Sequence, residues 1–317
     1  MIMNRLVKIS VIMAIYNPVW DKCLFTLNSI MGQEKVDLEL IITDDGSECN
    51  LFNTFDLYFQ QRGFHNYKLI EHKTNQGTVN NYYDGLRIAS GEYVKLISPG
   101  DALYNETTLF EWSKFLSESG KLWSFGNSVF YSIKNDSRFI VKHPAFPMMI
   151  DCYCSHDDAT CRWNYVVLED YASGAAMICD RLLMHSYLIR FINTMKYTED
   201  IIHAAMMYDG ITPAFFDRNV VFYEYGTGVS TSNNSWIRRV RTDQKQAEIA
   251  IASNTPCDEL QNKMNRSLLK INKENCLSKG LKKCLQKGGV KKALKYRINP
   301  RLTSTDISSC GKWWYIS

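Results

Sequence analysis

Over its first 120 residues this chain alternates short β-branched, apolar runs with segments whose apolar residues recur at helical spacing. The runs are 7–15, 38–43, 67–71 and 92–97. Between them, residues 21–32 space Leu24, Leu27 and Met31 as one helical face, and residues 51–61 do the same with Phe52, Phe55 and Phe59. Residues 78–89 read as a helix stopped by Ser90-Gly91, and 107–116 as another carrying Leu109, Trp112 and Leu116. Strands alternating with helices imply a parallel sheet covered on both faces. Ligands of such sheets bind beyond the carboxyl ends of the strands.

The second half reads differently. Residues 122–133 and 138–141 suggest a hairpin joined through Lys134-Asn135-Asp136, 181–191 and 199–208 suggest helices, and 215–225 a long strand. The fold class is therefore α/β with a mixed, mostly parallel sheet. A length of 317 residues with 45% apolar content allows one large domain with a small appendage. Charge marks the appendage. From residue 261 onward there are 14 Lys/Arg against Glu274 and Asp306, about +12, which leaves the first 260 residues at about −8 under a whole-chain charge of +4. An acidic body (1–235) with a basic helical extension (236–317) is expected, the extension meeting something anionic.

Three strand ends carry candidate chemistry. The second strand runs into Asp44-Asp45-Gly46-Ser47, where paired acids can accept from a base edge or help place a metal, although Asp-Gly is also an ordinary turn dipeptide. The fourth ends in Ser98-Pro99-Gly100-Asp101, on the same sheet edge. A diphosphate bound with Mg²⁺ or Mn²⁺ needs one or two carboxylates, its own oxygens and water completing the shell. Asn75-Gln76-Gly77 precedes the third helix and can cap it or contact a nucleoside.

Together these residues resemble the family 2 glycosyltransferases of GT-A (Rossmann-like) fold. The resemblance rests on 11–17 at the first strand, 41–47 at the second, Asn75-Gln76-Gly77, and 91–97 leading into Asp101. Ser173-Gly174-Ala175-Ala176-Met177-Ile178 with Arg181, then Thr198-Glu199-Asp200, and Tyr225-Gly226 through Val229-Ser230 extend it to roughly residues 7–232. It implies a nucleotide-sugar donor half (1–120) and an acceptor half (121–235). Ala14 and Tyr16 match the loop packing on the nucleobase, Asp44 or Asp45 the uracil-binding acid, and Asn75 a nucleotide contact. Asp101 matches the metal-binding acid, for Mn²⁺ or Mg²⁺, and Asp200 the catalytic base with Glu199 beside it. Ser98 and Gly100 stand where the family often shows two more acids, and the arginine usual in the third helix is replaced near Tyr82. The resemblance implies an inverting, metal-dependent transfer from a UDP-sugar to a glycan or lipid-linked glycan in bacterial surface polysaccharide synthesis.

Two other functions compete. A sugar nucleotidyltransferase would show a Gly-rich, basic phosphate loop after the first strand, where Tyr16-Asn17-Pro18 stands instead. A degenerate, non-catalytic homologue draws support from the reduced Ser98–Asp101 motif. Cys152, Cys154, His156 and Cys161 offer four soft ligands to zinc, at tighter spacing than usual, or else belong to an acceptor-side loop in which Asp157 and Asp158 read acceptor hydroxyls. The first apolar run lacks a small-residue cleavage site, so reduced thiols and a cytoplasmic location are expected. The extension interleaves lysines with Leu268, Leu269, Ile271, Leu277, Leu281, Leu285 and Leu294, a basic amphipathic pattern suited to an anionic membrane surface, with Trp313-Trp314-Tyr315 in the headgroup region. A helix packed on the body explains the same pattern. No nucleic-acid-binding motif accompanies the charge.

Overall fold

A computed structural model describes residues 6–226, 234–272 and 279–316. Val229, Ser230 and Leu277 lie outside the described residues.

The first half forms β1 (Lys8–Ile15), α1 (Trp20–Met31), β2 (Asp37–Asp44), α2 (Phe52–Arg62), β3 (Tyr67–Glu71), α3 (Thr78–Ile88) and β4 (Tyr93–Ile97). Ile9, Val11, Ile12, Met13 and Ile15 of β1 are all buried, the near-continuous apolar run of a strand covered on both faces. β3, β2, β1 and β4 pair in parallel in that spatial order, so their carboxyl ends share one edge.

β5 (Ala102–Leu103) and α4 (Thr108–Ser119) follow, then the antiparallel hairpin β6 (Trp123–Lys134) and β7 (Ser137–Ile140). The Cys152–Cys161 stretch, read as a loop if not a zinc site, lies in two helices, α5 (Asp151–Cys154) and α6 (Asp158–Leu168). β8 (Met177–Asp180) joins β4 and β6 antiparallel and leads into α7 (Arg181–Phe191). A 3₁₀ turn at Glu199–Ile201 opens α8 (Ile202–Tyr208), and β9 (Ala214–Glu224) pairs in parallel with β6. The full order is β3-β2-β1-β4-β8-β6-β9-β5, with β7 on β6. Separate apolar clusters fill the two sides of this sheet.

The extension is helical, with α9 (Asn234–Ala252), α10 (Glu259–Asn272), α11 (Lys279–Cys284) and α12 (Gly289–Arg297). Ala247, Ile251, Met264 and Leu268 join the body's own core. The headgroup position expected for Trp313 and Trp314 is corrected. Both are buried with Phe25, Tyr131 and Phe222, Trp314 stacks on Phe222 at 4.3 Å, and Trp313 Nε1 donates to the Leu103 carbonyl at 2.9 Å. Their rings cover one end of the sheet, which would otherwise be wet; Tyr315 alone stays exposed.

Candidate functional site

The ends of β1 to β4 bring the donor-half candidates to one edge. Ala14 lies half-buried inside β1, paired with Thr43, and Tyr16 projects just past the strand, exposed. Asp44 and Asp45 are buried and bonded to backbone. Asp44 accepts from the Ser47 amide at 2.9 Å and from the Ser47 hydroxyl. Asp45 accepts from the Gln76 and Gly77 amides at 2.7 and 2.9 Å, so it ties the Asn75 loop to the end of β2. Gly46, at φ +74°, passes under Thr74 and Asn75, where a Cβ would stand 2.8 Å from the Asn75 nitrogen. Asn75 itself is exposed.

Asp101 follows the β4 end through a turn closed by its amide on the Ser98 carbonyl at 3.0 Å. Tyr82, where the resemblance leads one to expect arginine, braces that turn by donating to the Ile97 carbonyl at 2.9 Å. Burial, the dominant cause, pushes the Asp101 carboxyl up to about 7; the amide of Glu224 and the charges of Lys95 and Lys22 hold it back.

Glu224, the last residue of β9, is a neighbour that sequence reasoning missed. Its amide donates to Asp101 Oδ1 at 3.2 Å, and its carboxylate takes Lys22 Nζ on both oxygens at 2.8 Å. Gly100, at φ +98°, leaves the space that the Glu224 carboxylate fills; a side chain there would collide with it. Lys95 was also missed. It is fully buried in β4, donates to the Leu96 and Ala175 carbonyls at 2.6 Å each, and burial pulls it down to about 8 against the charges of Asp101 and Glu199.

Glu199 and Asp200 sit on the 3₁₀ turn ahead of α8. Burial, then the charge of Asp200, lifts Glu199 to about 8; burial also raises Asp200, opposed by the amides of Asp200 and Ile201. Both acids thus hold protons more tightly than free carboxyls do, and they titrate as a pair. His203 Nδ1 lies 2.9 Å from the Asp200 carbonyl, and burial drives the imidazole down to about 4, so it is neutral. Asp101, Glu199, Asp200 and Glu224 all line one cavity of about 780 Å³. Tyr16, Asp44, Asp45 and Asn75 are not in its wall; they sit on the adjoining part of the edge.

The Asp101 carboxylate offers hard oxygens of the kind Mg²⁺ or Mn²⁺ takes, one of them accepting from the Glu224 amide, while the Glu224 carboxylate is held on both oxygens by Lys22. Among the described residues no group of three candidate ligands gathers, so phosphate oxygens and water would complete the shell. At the cysteine cluster, Cys152 and Cys161 are buried while Cys154 and His156 are exposed. Asp157, offered as a reader of acceptor hydroxyls, caps α6 by accepting from the Thr160 amide at 3.1 Å.

Sheet order, strand-end acids and recessed carboxylate pair define a GT-A glycosyltransferase architecture. Residues 10–178 match the model of glycosyl transferase family 2, and the chain belongs to that family. A curated relative is the poly-beta-1,6-N-acetyl-D-glucosamine synthase of Staphylococcus epidermidis, 28% identical over 102 residues, 32% of this chain and 24% of that protein. The match thus spans about a quarter of the synthase's length. Among solved structures, S. aureus TarS 1–349 in complex with UDP-GlcNAc superposes with a TM-score of 0.53 at 16% identity, over 83% of this chain and 72% of that one. The mannosyltransferase PcManGT from Pyrobaculum calidifontis, in complex with GDP-Man and Mn²⁺, gives 0.58 at 14% identity, over 88% and 72%. Both likenesses are of fold.

Proposed function

We propose that this protein is an inverting glycosyltransferase that moves a sugar from a nucleotide-sugar, a UDP-sugar in first place, to a glycan or lipid-linked glycan in bacterial surface polysaccharide synthesis. The observation that carries the reading is the shared cavity, with Asp101 and Asp200 both in its wall. The nucleoside is assigned to the edge of Tyr16, Asp44, Asp45 and Asn75, and the diphosphate, through a divalent cation, to Asp101. There, Mn²⁺ or Mg²⁺, when bound, neutralises charge on the departing diphosphate.

Asp200 takes the proton from the acceptor hydroxyl. The acceptor oxygen bonds to the anomeric carbon from the face opposite the leaving group, the carbon–phosphate-oxygen bond breaks, and the nucleoside diphosphate departs. Protonated Glu199 keeps the second charge off the site. A positioned base of this kind contributes about 10²–10⁴-fold. The basic extension would hold the enzyme at the inner face of an anionic membrane. Release of nucleoside diphosphate from a panel of nucleotide-sugars, with and without Mn²⁺, tests the reading. Tight nucleotide binding with no turnover of any donor would instead make the protein a non-catalytic binder.

A further inference from the structure

The two short helices α11 and α12 are pinned to the body by one set of lysines and present another to solvent. Lys283 pairs with Glu169, Lys295 with Asp151 at 2.5 Å, and Lys292 lies 3.8 Å from Asp170. Trp163 Nε1 adds a bond to the Lys287 carbonyl at 2.6 Å. Gly289 at the start of α12 is buried so close to the Lys283 backbone that a Cβ would collide with it. The pair is thus a fixed platform.

Its outward side is apolar. Leu281 and Leu285 are one helical turn apart, as are Val290, Leu294 and Ile298, and all five are exposed, Leu285 at 67% and Ile298 at 75%. Exposed Lys287, Lys291 and Arg297 flank them. Two exposed apolar rows on successive short helices are more than scattered surface residues require. An apolar stripe edged by cations matches the interface of an anionic bilayer, where chains seat below the headgroups and ammonium groups meet phosphate. No helix among the described residues is long and apolar enough to cross a membrane.

The platform also touches the cavity. Tyr296 of α12, and Glu169 held by Lys283, are both in the wall shared with Asp200. We infer that the α11–α12 face docks on an anionic lipid surface and sets the cavity mouth beside it, so that the acceptor is an amphiphile carried in that bilayer. This deepens, and rests on, the transferase reading.

The test uses the full chain with vesicles of phosphatidylcholine alone or mixed with phosphatidylglycerol. Co-sedimentation is expected with the mixed vesicles only, and to fall with salt. The double substitution Leu285→Ser/Leu294→Ser should weaken it about tenfold or more. Lys287→Gln/Lys291→Gln should weaken it roughly 25-fold, at about fivefold per lysine. Hydrogen exchange on the mixed vesicles should slow across 285–298 and not across β1. UDP affinity, measured on the same variants, should stay as in the parent protein. If UDP binding fails in the parent, the transferase reading fails, whatever the vesicles show. Equal binding to both vesicle types, unchanged binding by both variants, or a dimer that the leucine substitutions dissociate in place of vesicle binding would overturn the docking face.

Discussion

The backbone of Gly174 lies against the side chain of Asp200: a Cβ at Gly174 would stand 2.8 Å from Asp200 Oδ2 and 2.9 Å from its Cβ. Two segments 26 residues apart in sequence thus meet at the proposed base, and the absence of a side chain at one sets the position of the other. Gly174→Ala must displace Asp200, because the neighbour includes the stiff Cβ and not only the far end of a flexible chain. Misplacement of about 1 Å costs on the order of 10²-fold in turnover. We expect that loss in kcat, with UDP affinity held within about twofold. An unchanged kcat would remove Asp200 from the reaction.

Glu199 supplies a pH test. Its carboxyl is raised from 4.5 to about 8 by burial and by Asp200. Between those values the folded chain keeps a proton that the unfolded chain has lost, so rising pH favours unfolding across the window and has no further effect above it. Glu199→Gln removes this dependence. Its melting temperature relative to the parent should climb from pH 5 to pH 8, by on the order of a few degrees. Transfer should fall by no more than about tenfold, since Gln keeps a neutral polar group where the protonated acid stood. A constant difference between the two proteins across that range would mean that Glu199 is ionised.

Trp313→Ala tests whether the chain end belongs to the core. Loss of a buried tryptophan costs about 3–5 kcal/mol, and here it also leaves the Leu103 carbonyl without its donor. The urea midpoint should drop accordingly while vesicle binding is kept. A midpoint within error of the parent would place the ring outside the core. By the same argument, cutting the chain after residue 235 should yield insoluble protein, because α9 and α10 complete the body's apolar cluster.

What could be read from residues alone follows from how local each signal is. The strand ends at Asp44 and Asp101 are legible because periodicity and turn chemistry lie within a few residues of each. The helix 181–191 is likewise local and matches α7 residue for residue. Helices α5 and α6 were not legible. Ser155, His156 and Asp157 interrupt the pattern between them, and His156 takes φ +54° to make the corner. Glu224 and Lys22 are 202 residues apart and meet only because β5, just past the β4 end, pairs with β9. Lys95 reads as a charged residue in a strand; its environment exists only once β8 and the Ala175 carbonyl cover it. Trp313 and Trp314 look like interface aromatics until the space beside Phe25 and Phe222 is known.

Asp200→Asn and Asp101→Asn should separate the two halves of the reaction. Asn at 200 preserves size and hydrogen bonding but cannot accept the acceptor's proton, so transfer should fall by something like 10²–10⁴-fold. Donor affinity should hardly change, because the nucleotide is assigned to the ends of β1 to β4, while Asp200 stands on the turn before α8. Asn at 101 removes a hard anionic ligand while Glu224 can still give its amide to the remaining carbonyl oxygen. It should therefore weaken Mn²⁺-dependent UDP binding as well as turnover, and the gap between UDP affinity with and without Mn²⁺ should close. Calorimetric titration of UDP with and without Mn²⁺, beside a steady-state transfer assay, reads both. If Asp200→Asn transfers sugar at the parent rate, the base is Glu199 or another acid of the cavity. If Asp101→Asn keeps its Mn²⁺ response, the metal does not sit at the β4 end.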